Sequence, residues 1–221
     1  MRILLVGASG TIGRAVEAEL EGRHEVVSAG RHSGDVRLDI YDSESIRAAF
    51  GELGPIDAVI SATGAVQFAP FAEMQAADYE MSLRNKLMGQ VILVLIGREH
   101  DRPAGSFTLT SGLLDDDPTV GGTAASMVNG SINAFVLAAS IEMPAGQRIN
   151  AVSPGLIEEA LDQYAPFFRG FEPVPEKSAQ RGFLVAAALN RTRIAKCLRL
   201  GQARAAGHHG STFKQSSCGC H

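Results

Sequence analysis

With 221 residues, 45% of them hydrophobic and 20% charged, the chain is long enough to bury one sizeable core and carries no bias that would mark it as disordered. A formal net charge of −4 supplies no broad positive field, which argues against nucleic acid and anionic membrane surfaces as partners and favours a small molecule. The longest apolar run, VILVLIG at 91–97, is far too short to span a bilayer and reads as a buried helix.

Short β-branched and leucine-rich runs alternate with longer amphipathic ones, the pattern of strand and helix units around a parallel sheet. In chain order the pattern predicts a strand at 2–6, a helix at 11–21, a strand at 25–30, a helix at 43–53 and a strand at 57–62. A long, interrupted helix at 72–97 follows, then a strand at 105–110, a helix at 121–142, a strand at 148–153 and a helix at 177–190. Runs such as ILLV and AVIS are apolar at every position, as strands covered on both faces must be. The predicted fold is α/β, a single-domain doubly wound parallel sheet over residues 1–190, with ligands bound beyond the C-terminal strand ends.

Residues 191–221 differ in character. All 24 acidic residues precede position 191, whereas six basic ones lie at or beyond it, so the body carries −10 and the tail +6. No strand is predicted in this tail, and its end in small, polar, turn-forming residues predicts poor order. The apolar run before Gly7 is too short for a signal peptide, and the three cysteines all lie at or beyond position 197, so a reducing, cytoplasmic location is expected.

Gly7, Gly10 and Gly13 follow the first strand directly and open a helix, with Ser9, Thr11 and Ile12 between them. A dinucleotide pyrophosphate requires this arrangement: glycine lets the backbone approach the phosphates, and the helix N-terminus supplies unpaired N–H groups and a favourable dipole. The alternative is a glycine-rich turn with a packing role only. The second strand ends in SAGRHSGD, where Arg31 can pair with a 2′-phosphate, with His32 and Ser33 adding hydrogen bonds and Asp39 meeting the adenine amino group. NADP(H) is therefore favoured over NAD(H), unless Arg31 is simply a solvated loop charge.

The glycine spacing, SATG at 61–64 and RINAVSPG at 148–155 together resemble the short-chain dehydrogenase/reductase family, whose Rossmann-type fold they imply. The resemblance places Ala62, Thr63 and Gly64 near the adenosine half of the cofactor and Pro154 and Gly155 near the nicotinamide. It also implies a serine that orients the substrate carbonyl, present as Ser111, a tyrosine that exchanges the proton, and a lysine four residues later. The tyrosine slot falls on Ala125 and the lysine slot on Asn129, and the chain contains no Tyr-x-x-x-Lys.

The family usually carries an asparagine three residues before a glycine in its fourth helix; that offset from Gly89 gives Lys86. Lys86 is thereby expected to project towards Asn129 and Ala125, the alternative being a solvated or interface lysine. Tyr164 is the one residue of the loop after SPG that could substitute as proton donor, and Tyr164, Phe167 and Phe168 either cover a ligand or pack in the core or an interface. Three consecutive carboxylates at 115–117 do not converge easily on one ion, and the histidines and cysteines of the tail match no usual zinc spacing, so no metal is expected.

The resemblance thus implies an NADP(H)-dependent oxidoreductase that reduces a carbonyl-type small molecule with a non-standard proton donor. The alternative is a catalytically inactive dinucleotide-binding sensor or partner subunit. It further implies a homodimer or homotetramer formed through the two long helices, and a final strand that this sequence does not show.

Overall fold

A computed structural model describes residues 1–168, 171–173, 175, 183, 194 and 195. The chain begins with β1 (Arg2–Val6), α1 (Thr11–Leu20), β2 (Glu25–Gly30), a two-residue β3 (Val36–Arg37), α2 (Ser43–Leu53) and β4 (Ile56–Ser61). It continues through α3 (Ala76–Ser82), a π-helical segment (Leu83–Met88), α4 (Gly89–Gly97), β5 (Asp101–Thr110), α5 (Thr123–Ala139), β6 (Arg148–Val152), α6 (Leu161–Tyr164) and β7 (Ile194–Ala195).

The strands form one sheet in the order β3-β2-β1-β4-β5-β6-β7, and every pairing is parallel. Chain order therefore runs outward from β1 to β3 and returns to start the other half at β4. The reversal leaves a crevice beyond the C-terminal ends of β1 and β4, where open sheets of this kind bind their ligands.

Both faces of the sheet are covered, which explains the unbroken apolar runs. Along β1, Ile3 and Leu5 join Val16 and Leu20 of α1 and Phe183, while Leu4 and Val6 join the opposite layer built with α2, α4 and α5. In that layer Phe50 and Phe107 are fully buried, each the kind of ring whose loss costs about 3–5 kcal/mol. Helix starts follow local rules: Asp42 accepts a hydrogen bond from the Glu44 amide at 2.9 Å to cap α2, and Gln75 with Asp78 forms a capping box on α3.

Most predicted elements are present within a residue or two of the expected limits. The interrupted helix at 72–97 resolves into a 3-10 turn (Phe71–Glu73), α3, the π-helical segment and α4. Two strands escape the sequence pattern. β3 is two residues long, and so is β7, which corrects the expectation that no strand follows position 190: Ile194 and Ala195 pair with Ala151 and Val152. Two residues are too few to show a period, and both strands are fixed by their sheet neighbours. The helix predicted at 177–190, Phe183 apart, lies outside the described residues, as does the tail apart from β7.

Candidate functional site

A cleft of about 780 Å³ opens over the strand ends, a size usual for a small-molecule or cofactor site. Its first wall is the turn between β1 and α1. Gly7 has φ +89°, and its amide donates to the Ala29 carbonyl at 2.8 Å, tying the turn to β2. A side chain at Gly7 would place Cβ 2.7 Å from the Ala62 carbonyl oxygen, and one at Gly13 would place it 2.0 Å from the Gly7 carbonyl oxygen. The turn is therefore pressed against both β4 and its own helix, and only glycine fits at either point. Gly10 precedes α1 without a side-chain cap, so the first-turn amides receive no side-chain acceptor from that residue. Gly7, Ser9, Gly10, Thr11 and Ile12 line the cleft; Gly13 is buried beneath it as the packing glycine.

The second wall follows β2. Arg31, His32 and Ser33 are exposed and line the cleft, with Arg31 Nε donating to His32 Nε2 at 2.8 Å. The nearby Asp35 points elsewhere: it accepts from the Ser28 hydroxyl at 2.7 Å and the Ser28 amide at 2.9 Å, bonds that hold its carboxyl below the usual range. Asp39 does line the cleft, and one of its oxygens accepts from the Tyr41 amide at 3.0 Å. Leu38, Ile40 and Tyr41, also in the lining, carry no signal in the sequence beyond their hydrophobicity.

The floor is where β5, the π-helical segment and α5 meet. Ser111 is 1% exposed, and its hydroxyl donates to the Asn129 backbone carbonyl at 3.0 Å. Lys86 enters from the π-helical segment, its ammonium donating to the Ser111 carbonyl and to Asn129 Oδ1, both at 2.8 Å. Its stem passes over Gly64, which has φ +123° and where a Cβ would lie 2.6 Å from Lys86 Cγ. Burial lowers the pKa of Lys86 to about 8, the charge of Asp115 partly opposing the shift. Neighbours hold this arrangement rigidly: Asn85 Oδ1 accepts from the Ala65 amide at 3.2 Å, and Gln90 bridges the Lys86 and Thr110 carbonyls at 3.0 and 2.9 Å.

The last wall comes from the segment after β6. Ala62, Thr63, Gly64, Pro154 and Gly155 all line the cleft, followed by Leu156 and Ile157. Tyr164 and Phe168 complete it together with Phe68, whose ring centroid lies 5.5 Å from that of Tyr164 and 6.0 Å from that of Phe168. Burial raises the Tyr164 phenol. Among the described residues, its hydroxyl makes no hydrogen bond with Ser111 or Lys86. Phe167 packs beside Phe68 at 5.1 Å and lies outside the lining. At 115–117, Asp115 accepts from Asn133 Nδ2 at 2.6 Å; among the described residues no three metal-capable side chains converge.

A family model described as Enoyl-(Acyl carrier protein) reductase, one of the short-chain dehydrogenases, matches residues 7–197. The chain belongs to the short-chain dehydrogenase/reductase family. The crystal structure of the protein lin1944 from Listeria innocua is 45% identical, covers 89% of this chain and 100% of its own, and superposes with a TM-score of 0.84. A small-chain dehydrogenase in complex with NADPH is 24% identical over 89% of this chain and 97% of its own, with a TM-score of 0.78. ElxO with NADP bound is 15% identical over 88% and 96%, with a TM-score of 0.75. No curated protein matches the chain.

Lys86 of the π-helical segment and Asn129 of α5 thus meet at the cleft floor, their side chains bonded to each other at 2.8 Å. Ala125, also in the lining, is 2% exposed and carries no group that could give or take a proton. Asn85 and Phe68 are further lining residues that the sequence does not single out. Asn85 adjoins Lys86 in the chain, but nothing in the sequence tells that it holds a loop amide.

Proposed function

We propose that the protein binds NADP(H) and reduces a carbonyl-type small molecule, with Lys86 in place of the family's tyrosine as proton donor. The observation that carries this reading is the Lys86–Asn129 contact at the cleft floor. The cofactor fits the residues present: Gly7 and Gly13 leave a cradle that a Cβ would fill, and α1 begins without a side-chain cap. Gly10, Thr11 and Ile12 would hold the pyrophosphate, Arg31 and His32 a 2′-phosphate, Thr63 and Gly64 the adenosine side, and Pro154 and Gly155 the nicotinamide. The two solved structures with NADPH or NADP bound share this fold and support the cofactor assignment. When bound, the reduced nicotinamide supplies a hydride.

The chain's own residues supply the rest. Two of the three N–H bonds of the Lys86 ammonium are fixed by Ser111 and Asn129, leaving the third for a substrate oxygen. An acid with a pKa of about 8 is protonated at neutral pH and still gives its proton readily to a developing alkoxide, the balance that general acid catalysis requires. Ser111 fixes the amine through its carbonyl, and turning its hydroxyl away from Asn129 would let it orient the same substrate oxygen. Tyr164, its phenol made a weaker acid by burial, closes the aromatic wall.

Exposed Met88 and Leu95 in and beside α4, with Met127 and Leu137 on α5, support assembly into a homodimer or homotetramer through those helices. A titration followed by the cofactor's own fluorescence tests the cofactor assignment, since the chain has no tryptophan to interfere. NADPH binding at least about tenfold tighter than NADH supports the reading, and absence of binding to either ends it. Turnover of NADPH with ketones, aldehydes and quinones then separates an enzyme from a silent sensor.

A further inference from the structure

The amine at the cleft floor is held in a way that suits more than proton donation. Its two acceptors, the Ser111 carbonyl and Asn129 Oδ1, are both uncharged and both 2.8 Å away. A neutral amine has two N–H bonds and one lone pair, so two acceptors satisfy its hydrogens and leave the lone pair as the remaining direction. Close contact with Gly64 restricts the stem, and Lys86 is among the residues that line the cleft.

Burial shifts the amine towards its uncharged form, and the one charge acting on it opposes that shift without cancelling it. Asp115, from the turn after β5, is the charged group that acts on Lys86; α5 offers the Asn129 amide and β5 leads to the Ser111 backbone, neither of which titrates. Tyr164, elsewhere in the lining, is pushed up by burial and stays protonated. With a pKa of about 8, half of the Lys86 side chains are neutral at pH 8. For an ordinary exposed lysine the neutral fraction at that pH is about 0.4%.

We propose that Lys86 is a nucleophilic lysine that captures neutral aromatic aldehydes as imines within the cleft. The nitrogen lone pair attacks the aldehyde carbon and a C–N bond forms. The former carbonyl oxygen takes a proton to give a carbinolamine, and loss of water leaves Lys86 joined through C=N. No electrons are transferred, and no cofactor is needed. Phe68, Tyr164 and Phe168 in the same lining give the aldehyde's ring an aromatic surface, which sets the ligand class.

The test exposes the whole protein to benzaldehyde for short, fixed times between pH 6.5 and 9.5 and then adds excess borohydride, which reduces the imines already formed to stable amines. Peptide mass mapping then follows Lys86, Lys177, Lys196 and Lys214, the four lysines of the chain. At pH 8 Lys86 is expected to gain the benzyl group at least about tenfold faster than any other lysine. Its rate should level off above about pH 8.5 while the others keep rising, and the adduct should vanish in Lys86→Arg. Labelling of Lys86 less than tenfold faster than the rest overturns the proposal, and so does labelling only after denaturation. The comparison is internal to the wild-type chain, so it stands whether or not the variant folds. NADPH is absent throughout, so failure here leaves the reductase reading intact.

Discussion

Replacing Lys86 by methionine should change how stability depends on pH, and the sign follows from the depressed pKa. The unfolded chain holds the lysine proton up to about 10.5, whereas the folded chain releases it at about 8. Between these values the unfolded state binds more protons, so stability rises with pH across that window. From pH 7 to pH 10 the two titrations differ by about 2.5 kcal/mol, a ceiling that water entering through the open cleft lowers to about 1–2.5 kcal/mol. Methionine is similar in length and does not titrate. Its loss of the bonds to Ser111 and Asn129 is a constant offset, because neither partner titrates. Urea unfolding of both proteins at pH 7 and pH 10 isolates the effect: the gap in unfolding free energy between wild type and Lys86→Met should shift by that amount in favour of wild type. Gaps that agree within about 0.5 kcal/mol at the two pH values would refute the placement of a desolvated ammonium at the cleft floor.

Arg31→Ala should raise the dissociation constant for NADPH about tenfold or more while leaving that for NADH nearly unchanged, as read by the fluorescence titration; equal losses for both would remove Arg31 from the 2′-phosphate. In Gly13→Ala the new Cβ meets the Gly7 carbonyl oxygen at 2.0 Å, so the turn must move. A loss of about 2 kcal/mol or more in urea unfolding, together with lost cofactor binding, is expected. The exchange Lys86→Asn with Asn129→Lys should retain NADPH affinity better than either single variant, because the singles leave two amides or two amines face to face. A double-mutant cycle measures that coupling, expected at about 1 kcal/mol or more. Reductase activity, once a substrate is found, should fall as pH rises through about 8 and the Lys86 ammonium is lost, and a steady-state pH profile reads this directly.

The cofactor half of the site was the more legible in sequence because its function depends on the backbone. Gly7 and Gly13 are required by close approach, and that requirement leaves glycines at fixed offsets after an apolar run. Helical periodicity located α1, α2 and α5, and strand runs located the five central strands. Aromatic packing was harder to read: Phe68 lies about a hundred positions from Tyr164 and Phe168, and no local pattern brings them together. The floor lies between these cases. The offset from Gly89 singles out Lys86, but a sequence cannot state that the helix carrying it runs through a π-helical segment, a feature often found at functional sites. β3 and β7 were illegible because pairing partners, and not their own residues, define them.

β7 has one consequence for handling the protein. A parallel strand of two residues adds little area, but it decides whether β6 is an interior strand or an edge. Without Ile194 and Ala195, the backbone groups of Ala151 and Val152 that face β7 would be open to pairing with another chain, directly before Ser153, Pro154 and Gly155. Fragments cut short of that strand would therefore be expected to lose colloidal solubility and cofactor binding together, although neither Ile194 nor Ala195 lines the cleft.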